Sequence, residues 1–96
     1  MGWNYFAYIT ASHSRAVYVG MTNDLQGRVW QHRNKVNEGF TSRYNCTHLV
    51  YYEVCPDPMT AIAREKEIKR WRREKKVALI ESTNRTWRDL WNDILD

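Results

Sequence analysis

Five residues of this chain carry groups that can work together on a phosphate. Arg28 and His32 are four apart, which places them one turn from each other on the same face of a helix. Tyr18 in VYVG and Tyr8 in FAYI each offer a phenol, and Glu65 in AREKEIK offers a carboxylate. A cation and a carboxylate-held metal can both act on one phosphate. Taken singly, each residue has an ordinary structural reading. His32 can be a satisfied core histidine, and the tyrosines can be sheet filler. Glu65 can pair with Lys69 or Arg72 at the edge of its stripe.

Glu65 stands out because of where it falls. The helix expected from Pro58 has its apolar stripe through Ala61, Ile62 and Ile68, and Glu65 lies between those turns. A carboxylate facing inward is costly unless a cation, a metal or a hydrogen-bond donor compensates for lost water.

The elements that must hold these groups read off the pattern. WNYFAYIT, 3–10, suits a strand, and ASHSR is a hairpin connection to a second strand, AVYVGMT, 16–22. In that strand Val17, Val19 and Met21 share a core face. Ala16, Tyr18, Gly20 and Thr22 share the other, a small polar floor around one tyrosine. Gly20 is expected to end the strand in a close turn. Asn23 or Asp24 can cap a helix to about Lys35, with Leu25, Val29, His32 and Val36 on one stripe. NEGFTSRYN, 37–45, is a loop in which Gly39 ends that helix, and THLVYYEV, 47–54, is a third strand. Asp57 and Pro58 start a helix to about Arg73, a shorter one covers 75–82, and TNRTW is a turn. Trp87, Leu90, Trp91, Ile94 and Leu95 then fall at helical spacing, with Thr86 and Asp89 as a capping pair. The order β-β-α-β-α-α-α argues a small α/β or α+β sheet covered by helices, with the first two strands as an antiparallel hairpin.

Ninety-six residues make a single domain, 1–96, and thirteen aromatic side chains must carry much of its core. The longest apolar runs, such as VALI at 77–80, are far too short to span a bilayer, and no secretory signal is recognisable. The expectation is a soluble cytoplasmic protein. Cys46 and Cys55 flank the third strand, roughly 30 Å apart if extended, too far for a disulfide. A zinc site from Cys46, His48 and Cys55 lacks the usual short paired spacing. The net charge is +4, and the stretch REKEIKRWRREKK, 64–76, holds eight Lys or Arg against three Glu. That segment is either a solvated helix face or a phosphate-binding one.

Taken in order, these residues resemble the GIY-YIG nuclease superfamily: Tyr8 in FAYI, YVG at 18–20, Arg28, His32, Glu65 in AREKEIK and Asn84 in ESTN. The chain is most similar to small standalone bacterial members, which resemble the amino-terminal nuclease domain of the excision-repair excinuclease. The likeness extends through TNDLQGRVWQH, EGFTSRYN, HLVYYE, and REKEIKRW leading to ALIEST. Phe6-Ala7-Tyr8 stands where Gly-Ile-Tyr would, Val19 replaces Ile, and Met21 stands where the excision-repair domain tends to have lysine.

The resemblance implies a three-stranded antiparallel sheet flanked by helices. It also implies hydrolysis of DNA phosphodiesters, in repair or processing, with Mg²⁺ or Mn²⁺ at Glu65. Such ions keep several waters and need only one or two protein carboxylates. Arg28 would grip non-bridging oxygens with its planar fork. Tyr8 would be preferred over Tyr18 as general base for the attacking water, with Tyr18 positioning that water or sharing the proton. A free tyrosine is only about 0.1% ionised at pH 7, a handicap of about 4 kcal/mol, so nearby positive charge is required. His32 would accept the phenolic proton or orient a tyrosine, and Asn84 would brace Glu65 or a phosphate. Lys69, Arg72 and Arg73 would track adjoining phosphates, and the small surface favours single-stranded or distorted DNA. Two rivals stand beside this reading: a nucleic-acid-binding module without catalysis, and an adaptor that docks through the 87–95 helix. A membrane-surface role for the basic helix is disfavoured because it leaves no broad apolar face.

Overall fold

The computed structural model describes residues 4–34 and 45–95. The strand order is β2-β1-β3, all antiparallel, with β1 (Tyr5–Ala11) between β2 (Val17–Thr22) and β3 (His48–Cys55). Among the described residues the helices are α1 (Leu25–Arg33), α2 (Pro58–Arg70), α3 (Arg73–Thr83) and α4 (Trp91–Ile94), in the order read from the sequence. Trp3, Lys35, Val36 and the loop with Gly39 lie outside the described residues. No helix among the described residues is long and apolar enough to cross a membrane.

Alternation along β1 sorts the core into two layers. Ile9 and Ala11 face Val19, Val50, Tyr51, Ile68, Ile80 and Trp87, and Ala7 meets Cys55 and Ala61, so α2 and α3 cover this first face. Tyr8 faces Leu25, Val29 and Leu49, with Phe6, Tyr18, Tyr52, Leu90, Trp91 and Ile94 around them, so α1 and α4 cover the second. Cys46 and Cys55 are buried free thiols at the two ends of β3.

Local chemistry explains the element ends. Asp24 caps α1 by accepting from Gly27 N at 3.1 Å, while Thr22 Oγ1 accepts from Asp24 N at 3.0 Å. The helix is thereby fixed directly behind β2. Asp57 caps α2 through Thr60 N at 2.8 Å, with Pro58 in the first turn. A contact that the sequence did not announce locks α2 to β3: Arg64 donates to Glu53 at 2.7 and 3.3 Å and to Glu67 at 2.8 Å. Ile62, expected on the buried stripe of α2, is exposed.

The end of the chain departs from the sequence reading. Only Trp91–Ile94 is helical, not 87–95. Trp87 packs on the first face of the sheet, while Leu90, Trp91 and Ile94 pack on the second. A straight helix cannot lie on both, so 84–90 runs irregularly beside β3, with Leu90 N donating to Leu49 O at 2.8 Å. Trp87 takes φ +59 to make the passage, a left-handed conformation that costs a bulky residue roughly 1–2 kcal/mol. Asp89 does not act with Thr86; its Oδ1 accepts from Leu49 N and Trp91 N. The proposed docking helix is therefore core: Trp87 is buried and Leu90, Trp91 and Ile94 are packed against the sheet.

Candidate active site

Tyr8 and Gly20 are cross-strand partners on β1 and β2. A Cβ built on Gly20 would lie 2.5 Å from the Tyr8 hydroxyl and 2.6 Å from its Cζ. The glycine thus does not end β2 in a turn, since Met21 and Thr22 continue the strand. It provides the space across which the Tyr8 phenol lies.

The Tyr8 hydroxyl meets His32 Nε2 at 3.0 Å, a bond between two buried groups. His32 reaches it because Leu25 and Val29, on the same side of α1, pack against Tyr8. Tyr18 closes the group, its ring centroid 5.3 Å from that of His32 and 6.3 Å from that of Tyr8. Arg28 lies one turn before His32, and its charge acts on both Tyr8 and His32. It is half-buried, and among the described residues it makes no ion pair or hydrogen bond. A guanidinium without a protein partner has its planar donor fork available for an anion.

Glu65 comes in from α2. Its side chain is 18% exposed, Lys69 Nζ lies 3.1 Å from its Oε2, and that same Nζ lies 5.7 Å from the Tyr18 ring centroid. The negative charge of Glu65 is felt at Tyr8. The expected pairing with Lys69 is therefore present, and it does not remove Glu65 from the tyrosines. Along the outer edge of β2, Val17, Tyr18, Val19, Lys69 and Lys76 line an open cleft of about 270 Å³.

Burial, then the neighbouring Tyr18, pushes the Tyr8 phenol well above the ordinary range, and Arg28 opposes the shift. Burial followed by Arg28 pushes the His32 imidazole down to about 4, so it is neutral at physiological pH. Its Nδ1 is buried without a partner among the described residues. The linkage has a definite sign. Between pH 6.5 and about 4 the unfolded chain takes up a proton that folded His32 refuses, so stability falls as pH falls. Urea unfolding should show His32→Gln losing about 3 kcal/mol less than wild type across that window.

The site residues named from sequence divide. Tyr8, Tyr18, Arg28, His32, Glu65 and Lys69 come together. Asn84 does not join them: its Nδ2 donates to Val50 O at 3.0 Å and Arg88 O at 2.8 Å, and its Oδ1 accepts from Arg88 N at 2.9 Å. Instead of bracing Glu65 or a phosphate, this amide ties the 84–90 segment to β3. Arg72 and Arg73 are exposed at the junction of α2 and α3. Lys76, absent from the residues expected at the site, lines the cleft; its place in the basic stretch is the only sequence signal for it.

A model of the GIY-YIG catalytic domain matches residues 4–78. The chain belongs to the GIY-YIG family. Among its relatives, UPF0213 proteins of Staphylococcus aureus strains Mu3 and N315 are each 34% identical over 77 residues, covering 80% of this chain and 94% of theirs. The solution NMR structure of a UPF0213 protein from Bacillus halodurans is 22% identical with a TM-score of 0.58, covering 97% of this chain and 99% of that one. The GIY-YIG membership places this chain in a nuclease superfamily, and its relatives are small standalone bacterial proteins. The likeness to the solved structure concerns the fold.

The donor set of this GIY-YIG site fits a hydrated divalent ion. Among the described residues no three His, Cys, Asp or Glu cluster to cage a metal, but one inward carboxylate already holds a cationic ammonium. Mg²⁺ and Mn²⁺ accept such a site because they keep most of their waters.

Proposed function

We propose that this chain is a divalent-metal-dependent endonuclease that hydrolyses phosphodiester bonds in DNA, in repair or processing, with single-stranded or distorted DNA preferred. The observation that carries the reading is Arg28, half-buried and unpaired beside the Tyr8–His32 pair. Its fork grips the non-bridging oxygens and offsets the charge that builds on them in the transition state. Glu65 would hold Mg²⁺ or Mn²⁺, which supplies Lewis-acid polarisation of the phosphoryl group and stabilises the departing oxygen.

Tyr18 serves as general base better than Tyr8. Tyr8 is sealed to 1% exposure, is pushed to higher pKa, and has its oxygen engaged by His32. Tyr18 borders the open cleft, with the Lys69 ammonium close to its ring where negative charge develops as the proton leaves. His32, held neutral and a weak base, orients Tyr8 instead of accepting its proton. Lys76, Arg72 and Arg73 supply positive charge for neighbouring phosphates, which makes binding salt-dependent.

The Lys69–Glu65 ion pair favours a second reading, a nucleic-acid-binding module without catalysis, because it satisfies the carboxylate with no metal. Labelled single- and double-stranded DNA incubated with Mg²⁺ or Mn²⁺ separates the two. The endonuclease reading expects cleavage by wild type, and in Glu65→Ala a loss on the order of 10³-fold with binding retained. Binding without cleavage of any substrate by wild type selects the module.

A further inference from the structure

A second polar cavity, of about 250 Å³, opens where β1 ends and β3 begins, lined among others by Ser12, His13, Arg15, His48, Trp87 and Asp89. The His13 and His48 rings stand edge to face with centroids 4.5 Å apart. The Arg15 guanidinium lies 4.7 Å over the Trp87 ring, and both side chains line the cavity. Both residues of that stack have a positive φ, 67° and 59°, so the backbone is held in an uncommon conformation on two sides of one cavity. Asp89 lines it too, but its carboxylate is already met by Arg33 and by Leu49 N and Trp91 N. Two imidazoles and a guanidinium thus face a cavity whose lining carboxylate is spent.

The chemistry of that lining decides the ligand class. Among the described residues Asp89 is the one carboxylate of this lining, and its oxygens are already bonded, so the free groups of the cavity are donors and aromatic faces suited to an anion and not to a cation. The cavity is below the roughly 300–1,000 Å³ of pockets that enclose drug-sized ligands. Its donors suit a compact oxyanion, and a guanidinium fork with flanking N–H donors matches a phosphate. We propose that this cavity is a phosphate-binding site distinct from the catalytic group, and that it holds a terminal phosphomonoester of a nucleic-acid strand through Arg15, His13 and His48. The assignment to a strand end rests on the nucleic-acid reading above, whereas the oxyanion site itself does not.

The test is fluorescence anisotropy in EDTA, where no cleavage occurs, with short oligonucleotides of one sequence carrying a 5′-phosphate, a 3′-phosphate or neither. Wild type should bind one phosphorylated form about tenfold more tightly than the unphosphorylated strand. Arg15→Gly, which accepts the left-handed backbone, and His48→Gln should each abolish that preference, while Glu65→Ala should keep it. Titration with inorganic phosphate, followed by NMR at the His13 and His48 rings, separates the two sources. Ring shifts without any strand-end preference keep the oxyanion site and overturn its assignment to nucleic-acid ends. Neither ring shifts nor a preference in wild type overturns the site altogether. Because no step needs catalysis, a failed cleavage assay leaves this outcome unaffected.

Discussion

Gly20→Ala should lower the unfolding free energy by about 3 kcal/mol, at the upper end of the range for overpacked cores. For a domain of this size that corresponds to a fall in Tm of roughly 12–20 °C, readable by circular dichroism. The reason is steric and not conformational. The added methyl would sit 2.5 Å from the Tyr8 hydroxyl, 2.6 Å from Cζ and 2.9 Å from Cε2. Tyr8 cannot yield easily, because its ring is 1% exposed among Leu25, Val29 and Leu49 and its oxygen is bonded to His32. Any movement that relieves the clash breaks the 3.0 Å bond and shifts the phenol within the site. The variant should therefore lose cleavage even at temperatures where it is fully folded. An unchanged Tm would mean that Tyr8 can swing clear of β2.

Arg28→Ala should reduce cleavage by about 10²–10³-fold with almost no change in Tm. Arg28 makes no ion pair among the described residues, so its removal leaves no partner stranded, while the transition state loses its forked donor. Arg28→Lys should recover little, because a point charge does not reproduce two parallel N–H bonds. An independent readout accompanies the kinetics. Arg28 contributes, after burial, to holding His32 down at about 4, so in Arg28→Ala the imidazole should titrate at higher pH by NMR. A rate loss without that shift would place Arg28 away from His32.

Much of this is legible in the sequence because local physics and tertiary packing agree there. Asp24 and Asp57 cap the helices expected of them, and the strands alternate as read, with Val19 turned inward to one face and Tyr18 to the other. Tyr8, Tyr18, Arg28 and His32 come from two adjacent strands and the helix launched from the second, so short-range order already brings them close. What is not legible depends on contacts between distant segments. Trp87 and Trp91 share a helical period, yet they belong to opposite faces of the sheet, and the sheet prevails over the period. Asn84 reads as a brace for Glu65 or a phosphate, and only the positions of Val50 O and Arg88, set by the tertiary fold, commit its amide to the 84–90 segment instead. Gly20 reads as a strand end for a related reason: the open space beside it is filled from the neighbouring strand by Tyr8, which its own segment cannot reveal.

The catalytic reading stands or falls on whether the carboxylate at position 65 holds a divalent ion next to Tyr18. Titrating Mn²⁺ against the protein and following the free ion by electron paramagnetic resonance answers that question without any assay of cleavage. Wild type should withdraw one Mn²⁺ per chain and Glu65→Ala none, with both proteins equally folded. Equal uptake by the two proteins would contradict it.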